Sequence, residues 1–110
     1  MKFIIKNEMK ESISRLMRNV GYSFQREDKE KKEMSFIRPL ASHGYPRFHI
    51  YLKILNSPIL KNTINKQEMI FNLHLDQKKP IYKGAPAHSG EYDSEVVKEE
   101  AERIKKALQN

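Results

Sequence analysis

Hydrophobic positions recur along this chain with helical spacing in two places. Between residues 8 and 20, apolar side chains three and four positions apart predict a helix, with Asn7 as its N-cap and Gly21 just past its end. A second helix is predicted in the last part of the chain, and Asp93 or Ser94 at its start supplies the N-cap. The apolar stripe of this second helix consists of Val97, Ala101, Ile104 and Leu108.

Three other segments have the character of β-strands. Residues 33–40 form the first, and residues 47–55 and 70–76 alternate apolar and polar side chains with period two. Residues 2–6 fit either a further strand or the start of the first helix. We therefore expect an α+β fold: a two-layer sandwich in which a small, mainly antiparallel sheet of three to four strands packs against two helices, in the order (β)αβββα.

Two polar segments are expected to lie outside these elements. Residues 25–33 contain no apolar side chain and predict a solvated loop or a helix extension. Just before them, Tyr22 and Phe24 are expected in the core. Residues 77–92 form a long connection, and connections of that length usually carry function.

Length and composition indicate a small basic protein and exclude several kinds of site. A length of 110 residues predicts a single domain over 1–110. The formal charge of +7 favours an anionic partner, and seven basic against two acidic residues place much of it in residues 41–90. The absence of cysteine excludes disulfides, thiolate metal sites and thiol nucleophiles. No apolar run approaches the ~18 residues of a membrane span, and no secretory signal is visible, so we expect no membrane partner and a cytoplasmic location.

The strands at 47–55 and 70–76 carry the candidate chemistry. Their apolar side chains share one parity, so their polar side chains should emerge together on the opposite, exposed face if the two strands are neighbours. Two imidazoles and a carboxylate on such a face exceed what solubility requires. The polar residues of this parity are Arg47, His49, Tyr51, Lys53, Asn72, His74 and Asp76.

This set fits the binding of a phosphate-containing ligand, such as a nucleotide or nucleic acid, and its hydrolysis. Arg47 offers a planar fork for phosphate. His49 and His74, with Asp76, are the candidate catalytic residues, because one imidazole can act as base and the other as acid. The remaining ligand-binding candidates, which include two from the 77–92 segment, are Tyr51, Lys53, Asn72, His88 and Glu91.

The same residues also suggest a metal centre. His49, His74 and Asp76 would supply two nitrogens and a carboxylate, with His88 or Glu91 as a fourth ligand. Imidazole with carboxylate suits Zn²⁺, Mn²⁺ or Fe²⁺.

Two alternatives involve no catalysis. Basic and aromatic residues alternate over 45–53, as on the sheet faces of small nucleic-acid-binding modules. Two amphipathic helices would equally suit a protein-interaction adaptor. No established catalytic motif is present, so the sequence leaves open whether the protein is an enzyme.

Overall fold

The computed structural model describes residues 1–8, 12–55, 66–77, 90–91 and 94–108. Within these ranges the chain forms strands and two helices. The strands are β1 (Lys2–Glu8), β2 (Ser23–Asp28), β3 (Glu33–Pro39), β4 (Arg47–Leu55), β5 (Lys66–Asp76) and β6 (Gly90–Glu91). The helices are α1 (Ile13–Asn19) and α2 (Glu95–Leu108).

The strands form one antiparallel sheet in the order β1-β5-β4-β3-β2, and the two-residue β6 pairs with the end of β5. The predicted α+β class, with an antiparallel sheet and two helices, is confirmed. The expected three to four strands are too few, because five strands pair along the sheet besides β6. The β4–β5 pairing that the candidate site requires lies at the centre of the sheet.

One apolar core joins a single face of the sheet to the helices. The alternating apolar residues of β4 and β5 are buried as the pattern predicts, and the predicted stripe of α2 packs with them. Burying each large side chain of this kind contributes about 1.5–3 kcal/mol. The strand residues of this core are Phe3, Ile5, Phe36, Phe48, Ile50, Leu52, Met69, Phe71, Leu73 and Leu75.

The first helix is shorter than its apolar spacing predicts. Asn7 does not cap it, because residues 2–8 form β1 and pair with β5 along their whole length. The helix instead begins after Ser12, whose hydroxyl accepts a hydrogen bond from the Arg15 backbone N–H at 3.3 Å. Strand pairing across the sheet thus determines the conformation of residues 2–8, and residues 2–6 are a strand and not the start of the helix.

The polar segment at 25–33 is also not a loop throughout. Residues 23–28 form the edge strand β2, and only residues 29–32 make the turn to β3. All six residues of β2 are exposed, so the strand lacks the apolar alternation by which strands are recognised. Phe24 consequently lies half-exposed against Phe36 and is not a core residue, whereas Tyr22 is buried as expected.

A glycine with positive φ ends α1 as the sequence predicts. Gly21 has φ +98°, and the backbone N–H groups of Gly21 and Tyr22 donate to the carbonyls of Arg18 and Met17, which is a Schellman motif. A Cβ at Gly21 would lie 3.3 Å from Nε of Arg38.

We expect Gly21→Ala to lower the free energy of unfolding by about 1–2 kcal/mol, because alanine adopts this backbone conformation with strain and its Cβ would also crowd the Arg38 side chain. Gly44→Ala is the matched control, since Gly44 has φ +92° but no atom within 4 Å of a built Cβ. Urea unfolding of both variants should show the larger loss at Gly21. Equal losses would mean that the Arg38 contact costs nothing.

A second polar cluster lies between the end of α1 and α2. The buried carboxylate of Glu100 accepts hydrogen bonds from the Tyr22 hydroxyl at 2.6 Å, from Arg38 Nη1 at 3.1 Å and from Arg103 Nε at 2.7 Å. Arg103 also donates to the Val20 carbonyl at 2.7 Å. This cluster ties α2 to β3 and to the end of α1.

Candidate functional site

The polar residues of β4 and β5 share one face of the sheet and lie opposite one another. In the antiparallel register His49 pairs with His74, Arg47 with Asp76, and Tyr51 with Asn72. Directly opposed residues of one sheet face have Cβ atoms about 4.5–5.5 Å apart. The two strands therefore bring both imidazoles and the carboxylate into one cluster.

The carboxylate of Asp76 is the centre of this cluster. His74 Nε2 lies 3.0 Å from its Oδ1, and His49 Nδ1 lies 3.4 Å from its Oδ2. Arg47 Nε donates to Oδ2 at 3.4 Å. Burial alone would raise the pKa of Asp76, but hydrogen bonds from His49 and His74 and their positive charge hold that pKa well below its ordinary value. Asp76 is therefore ionised at neutral pH.

The imidazoles are buried, contrary to the exposed face that the sequence predicts. His49 and His74 are 6% and 7% exposed. The Tyr51 ring packs against both, with ring centroids 4.4 Å from His49 and 5.7 Å from His74, and the two imidazoles are 4.8 Å apart. This packing limits the rotation of the rings, so their nitrogen atoms are held toward Asp76.

A chain of hydrogen bonds supports His49 from the side away from Asp76. Its Nε2 lies 2.5 Å from Oγ of Ser35 on β3, and that hydroxyl donates to Oε1 of Gln25 on β2 at 2.8 Å. Neither residue was a candidate from the sequence. Ser35 could have been found, because it has the polar parity of β3, whereas Gln25 lies in a segment without alternation.

Arg47 belongs to the cluster but is not a free anion-binding fork. Its guanidinium bonds to Asp76 and lies over the Tyr45 ring, with Cζ 4.6 Å from the ring centroid. An incoming phosphate would have to compete with the Asp76 carboxylate for it. The geometry therefore gives Arg47 a supporting role beside Asp76.

The other predicted ligand-binding residues lie further from Asp76 or outside the residues that the structure describes. Asn72 is exposed opposite Tyr51, two residues along the strands from the imidazoles. Lys53 is exposed four residues along β4 from His49, further from the cluster than Tyr51. Glu91 has its backbone in β6, paired with Leu75, and its side chain lies outside the described part. His88 also lies outside the described residues.

An open groove of about 650 Å³ lies next to the cluster on the same face. The β2–β3 hairpin forms one wall, and Ser35, Tyr51 and Asn72 lie along it. The charged residues of this wall nearly cancel, with three basic and four acidic side chains. They are Arg26, Lys29 and Lys31, and Glu27, Asp28, Glu30 and Glu33. A groove of this size accommodates a small ligand beside Tyr51.

The donor atoms of the cluster fit a divalent metal. One ligating atom each from His49, His74 and Asp76 lies within 4.8 Å of the others. Ligands about 2.1 Å from a tetrahedral ion are about 3.4 Å apart, close to the 3.0 and 3.4 Å measured to Asp76. Metal binding would draw the most widely spaced of these atoms, which lie up to 4.8 Å apart, closer together. Two imidazoles and one carboxylate leave a coordination position for water or a ligand.

Comparison of the chain with protein-family models, curated proteins and solved structures found no match. Neither helix in the described part of the chain combines the length and apolar character needed to cross a bilayer. The function is therefore inferred from the geometry of the cluster itself.

Proposed function

We propose that this domain binds a divalent metal through His49, His74 and Asp76 and presents it to a phosphate-containing ligand in the adjoining groove. The observation that carries the proposal is the convergence of the three ligating atoms within 4.8 Å. Each side chain comes from one of two neighbouring strands, β4 and β5, each of which pairs with a strand on both sides.

The charge of the cluster supports a cation at its centre. Asp76 is held ionised, and a metal ion would replace the imidazole protons that donate to it, because imidazole binds metal in its neutral form through a nitrogen lone pair. Arg47 orients the carboxylate from outside the triad, as hydrogen-bonding partners of metal ligands commonly do. Direct capture of an anion is less well supported, because Arg47 is already bonded to Asp76 and the groove wall carries almost no net charge.

Zn²⁺ is the metal that this ligand set favours first. Affinity of nitrogen and oxygen sites rises from Mn²⁺ through Fe²⁺ and is higher for Zn²⁺, so Zn²⁺ should bind most tightly of the three. Mn²⁺ and Fe²⁺ accept the same two imidazoles and carboxylate, and they are the natural competitors.

The second part of the proposal concerns the ligand. A bound metal would act as a Lewis acid toward a phosphate oxygen. Tyr51, which contacts both imidazoles and lines the groove, joins the two parts of the site. The groove could then hold the rest of the ligand while its phosphate reaches the metal.

Metal titration tests the first part. We expect the purified protein, stripped by chelator, to bind Zn²⁺ at one ion per chain, more tightly than Mn²⁺. The measurement is isothermal titration calorimetry, with competition between Zn²⁺ and Mn²⁺. The metal site is refuted if the protein does not bind Zn²⁺, or if replacing His74 by alanine leaves the Zn²⁺ affinity unchanged.

The phosphate ligand has a separate test. Zn²⁺-loaded protein should bind inorganic phosphate, and chelation of the metal should abolish that binding. Hydrolysis stays a prediction from the sequence, and bis(4-nitrophenyl) phosphate is a suitable probe for it. If the protein binds Zn²⁺ but shows no metal-dependent phosphate binding, the metal site is supported and a phosphate-containing ligand is ruled out. Non-catalytic nucleic-acid binding gains no further support, because the Tyr51 ring, which also lines the groove, already packs against both imidazoles.

A further inference from the structure

We infer that Gln25 and Ser35 are positioning residues that determine which nitrogen of His49 binds the metal. The inference rests on the proposed metal site and assigns the ligating atoms within it. His49 would coordinate through Nδ1 and His74 through Nε2. The basis is the hydrogen-bond chain that runs from β2 through β3 to His49.

The hydrogen bonds from Gln25 through Ser35 to His49 have a defined direction, because a serine hydroxyl carries one proton. Ser35 donates that proton to Gln25 Oε1 at 2.8 Å, so its oxygen meets His49 Nε2 with a lone pair. Nε2 must then be the protonated nitrogen of His49. A neutral His49 in this tautomer has its lone pair on Nδ1.

That lone pair faces a carboxylate. His49 Nδ1 lies 3.4 Å from Asp76 Oδ2, so two electron-rich atoms oppose each other in a buried site. A positive charge between them removes this repulsion: in the metal-free protein a proton on Nδ1 provides it and donates to Asp76, and a bound metal ion would take the place of that proton. Metal-binding histidines characteristically donate their other N–H to an acceptor, which is the part that Ser35 plays here.

His74 differs from His49 in which nitrogen points at the carboxylate. It meets Asp76 Oδ1 through Nε2 at 3.0 Å, whereas His49 approaches Oδ2 through Nδ1. Each imidazole therefore brings a different nitrogen to the same carboxylate. His49 and His74, although directly opposed in the antiparallel pair, would thus bind the metal through different ring nitrogens.

The backbone of β2 explains how Gln25 reaches Ser35. The register of β2 against β3 shifts between Phe24 and Arg26, so Gln25 is the extra residue of a β-bulge. Bulges re-aim side chains, and they are common at sheet edges and next to active sites. Phe24 pairs with Phe36 on the core face, so alternation places Gln25 on the opposite face with Ser35 and His49, and the bulge sets both Gln25 and Arg26 against Ser35.

The test combines metal affinity with a spectroscopic assignment. In Zn²⁺-loaded protein with ¹⁵N-labelled histidine, the ring nitrogen shifts should show His49 bound through Nδ1 with Nε2 protonated, and His74 bound through Nε2. Ser35→Ala should weaken Zn²⁺ binding about 10–100-fold, the usual effect of removing a partner of a metal ligand. Ser35→Thr, which keeps the hydroxyl, should restore the affinity.

A second variant keeps the test independent of core packing. Gln25 is exposed on an edge strand, so Gln25→Ala should fold normally yet weaken Zn²⁺ binding, while Ser23→Ala on the same strand should not. If Ser35→Ala and Gln25→Ala both leave the Zn²⁺ affinity unchanged, this inference is wrong. Coordination of His49 through Nε2 would also overturn it, and in both cases the metal site itself would stand. Failure of the wild-type protein to bind Zn²⁺ would instead refute the metal site itself.

Discussion

Asp76→Asn is expected to reduce Zn²⁺ affinity by at least about 100-fold, the largest effect of any single substitution in the cluster. The variant keeps the shape of the side chain but removes the charge that faces both imidazoles and Arg47. Loss of a ligand should exceed the ~10–100-fold cost of losing a ligand's partner. The affinity is measured by competition with a chromophoric chelator.

Stability in the presence of metal gives a second readout of the same substitution. Zn²⁺ at 100 times the dissociation constant should stabilise the wild-type protein by about 2.7 kcal/mol. At the same concentration a variant with 100-fold weaker binding gains only about 0.4 kcal/mol. The control is Glu68→Gln, which removes a carboxylate from the same strand and face but outside the cluster. Equal Zn²⁺ stabilisation of Asp76→Asn and wild type would contradict the proposed site.

Glu100→Gln is expected to lower the free energy of unfolding by about 2–4 kcal/mol. Glu100 is buried and accepts charge-assisted hydrogen bonds from Arg38 and Arg103 together with one from Tyr22. The neutral amide leaves the two guanidinium groups without a counter-charge, although both are partly exposed, which moderates the cost. Glu99→Gln on the exposed face of α2 is the control and should change stability by less than about 0.5 kcal/mol.

The same carboxylate predicts acid sensitivity. Burial alone would raise the pKa of Glu100, but hydrogen bonds from Arg103 and Tyr22 and the charges of Arg103 and Arg38 hold it below its ordinary value. A lowered pKa means that Glu100 contributes its full stability above the ordinary glutamate pKa and loses that contribution as pH falls through the folded-state value. Urea unfolding between pH 7 and 3 should therefore show a smaller loss in Glu100→Gln than in wild type. Parallel curves would refute this role.

Local patterns predicted those features that depend on near neighbours in the chain. Alternation along β4 and β5 indicated that His49, His74 and Asp76 have the polar parity, because side chains alternate faces in any strand. Gly21 was recognisable as a helix end, since only its backbone tolerates the required φ without strain.

Other features were not predictable because distant segments decide them. An acidic residue early in α2 is already explained by the helix dipole, so nothing local indicates that Glu100 binds Arg38, 62 positions away in the chain. Strand β2 has no apolar alternation, so its pairing with β3 left no local signal. The Gln25 bulge and its bond to Ser35 followed from that pairing and were equally hidden.

By itself, the sequence determined the α+β class, the apolar face of the central strands and the side on which the imidazoles emerge. Only the tertiary structure decided that β4 and β5 are neighbours, that the imidazoles are buried against Tyr51, and that Ser35 holds one of them. The physical reason is that side-chain parity follows from the geometry of one strand, whereas strand order and burial depend on packing between segments far apart in the chain.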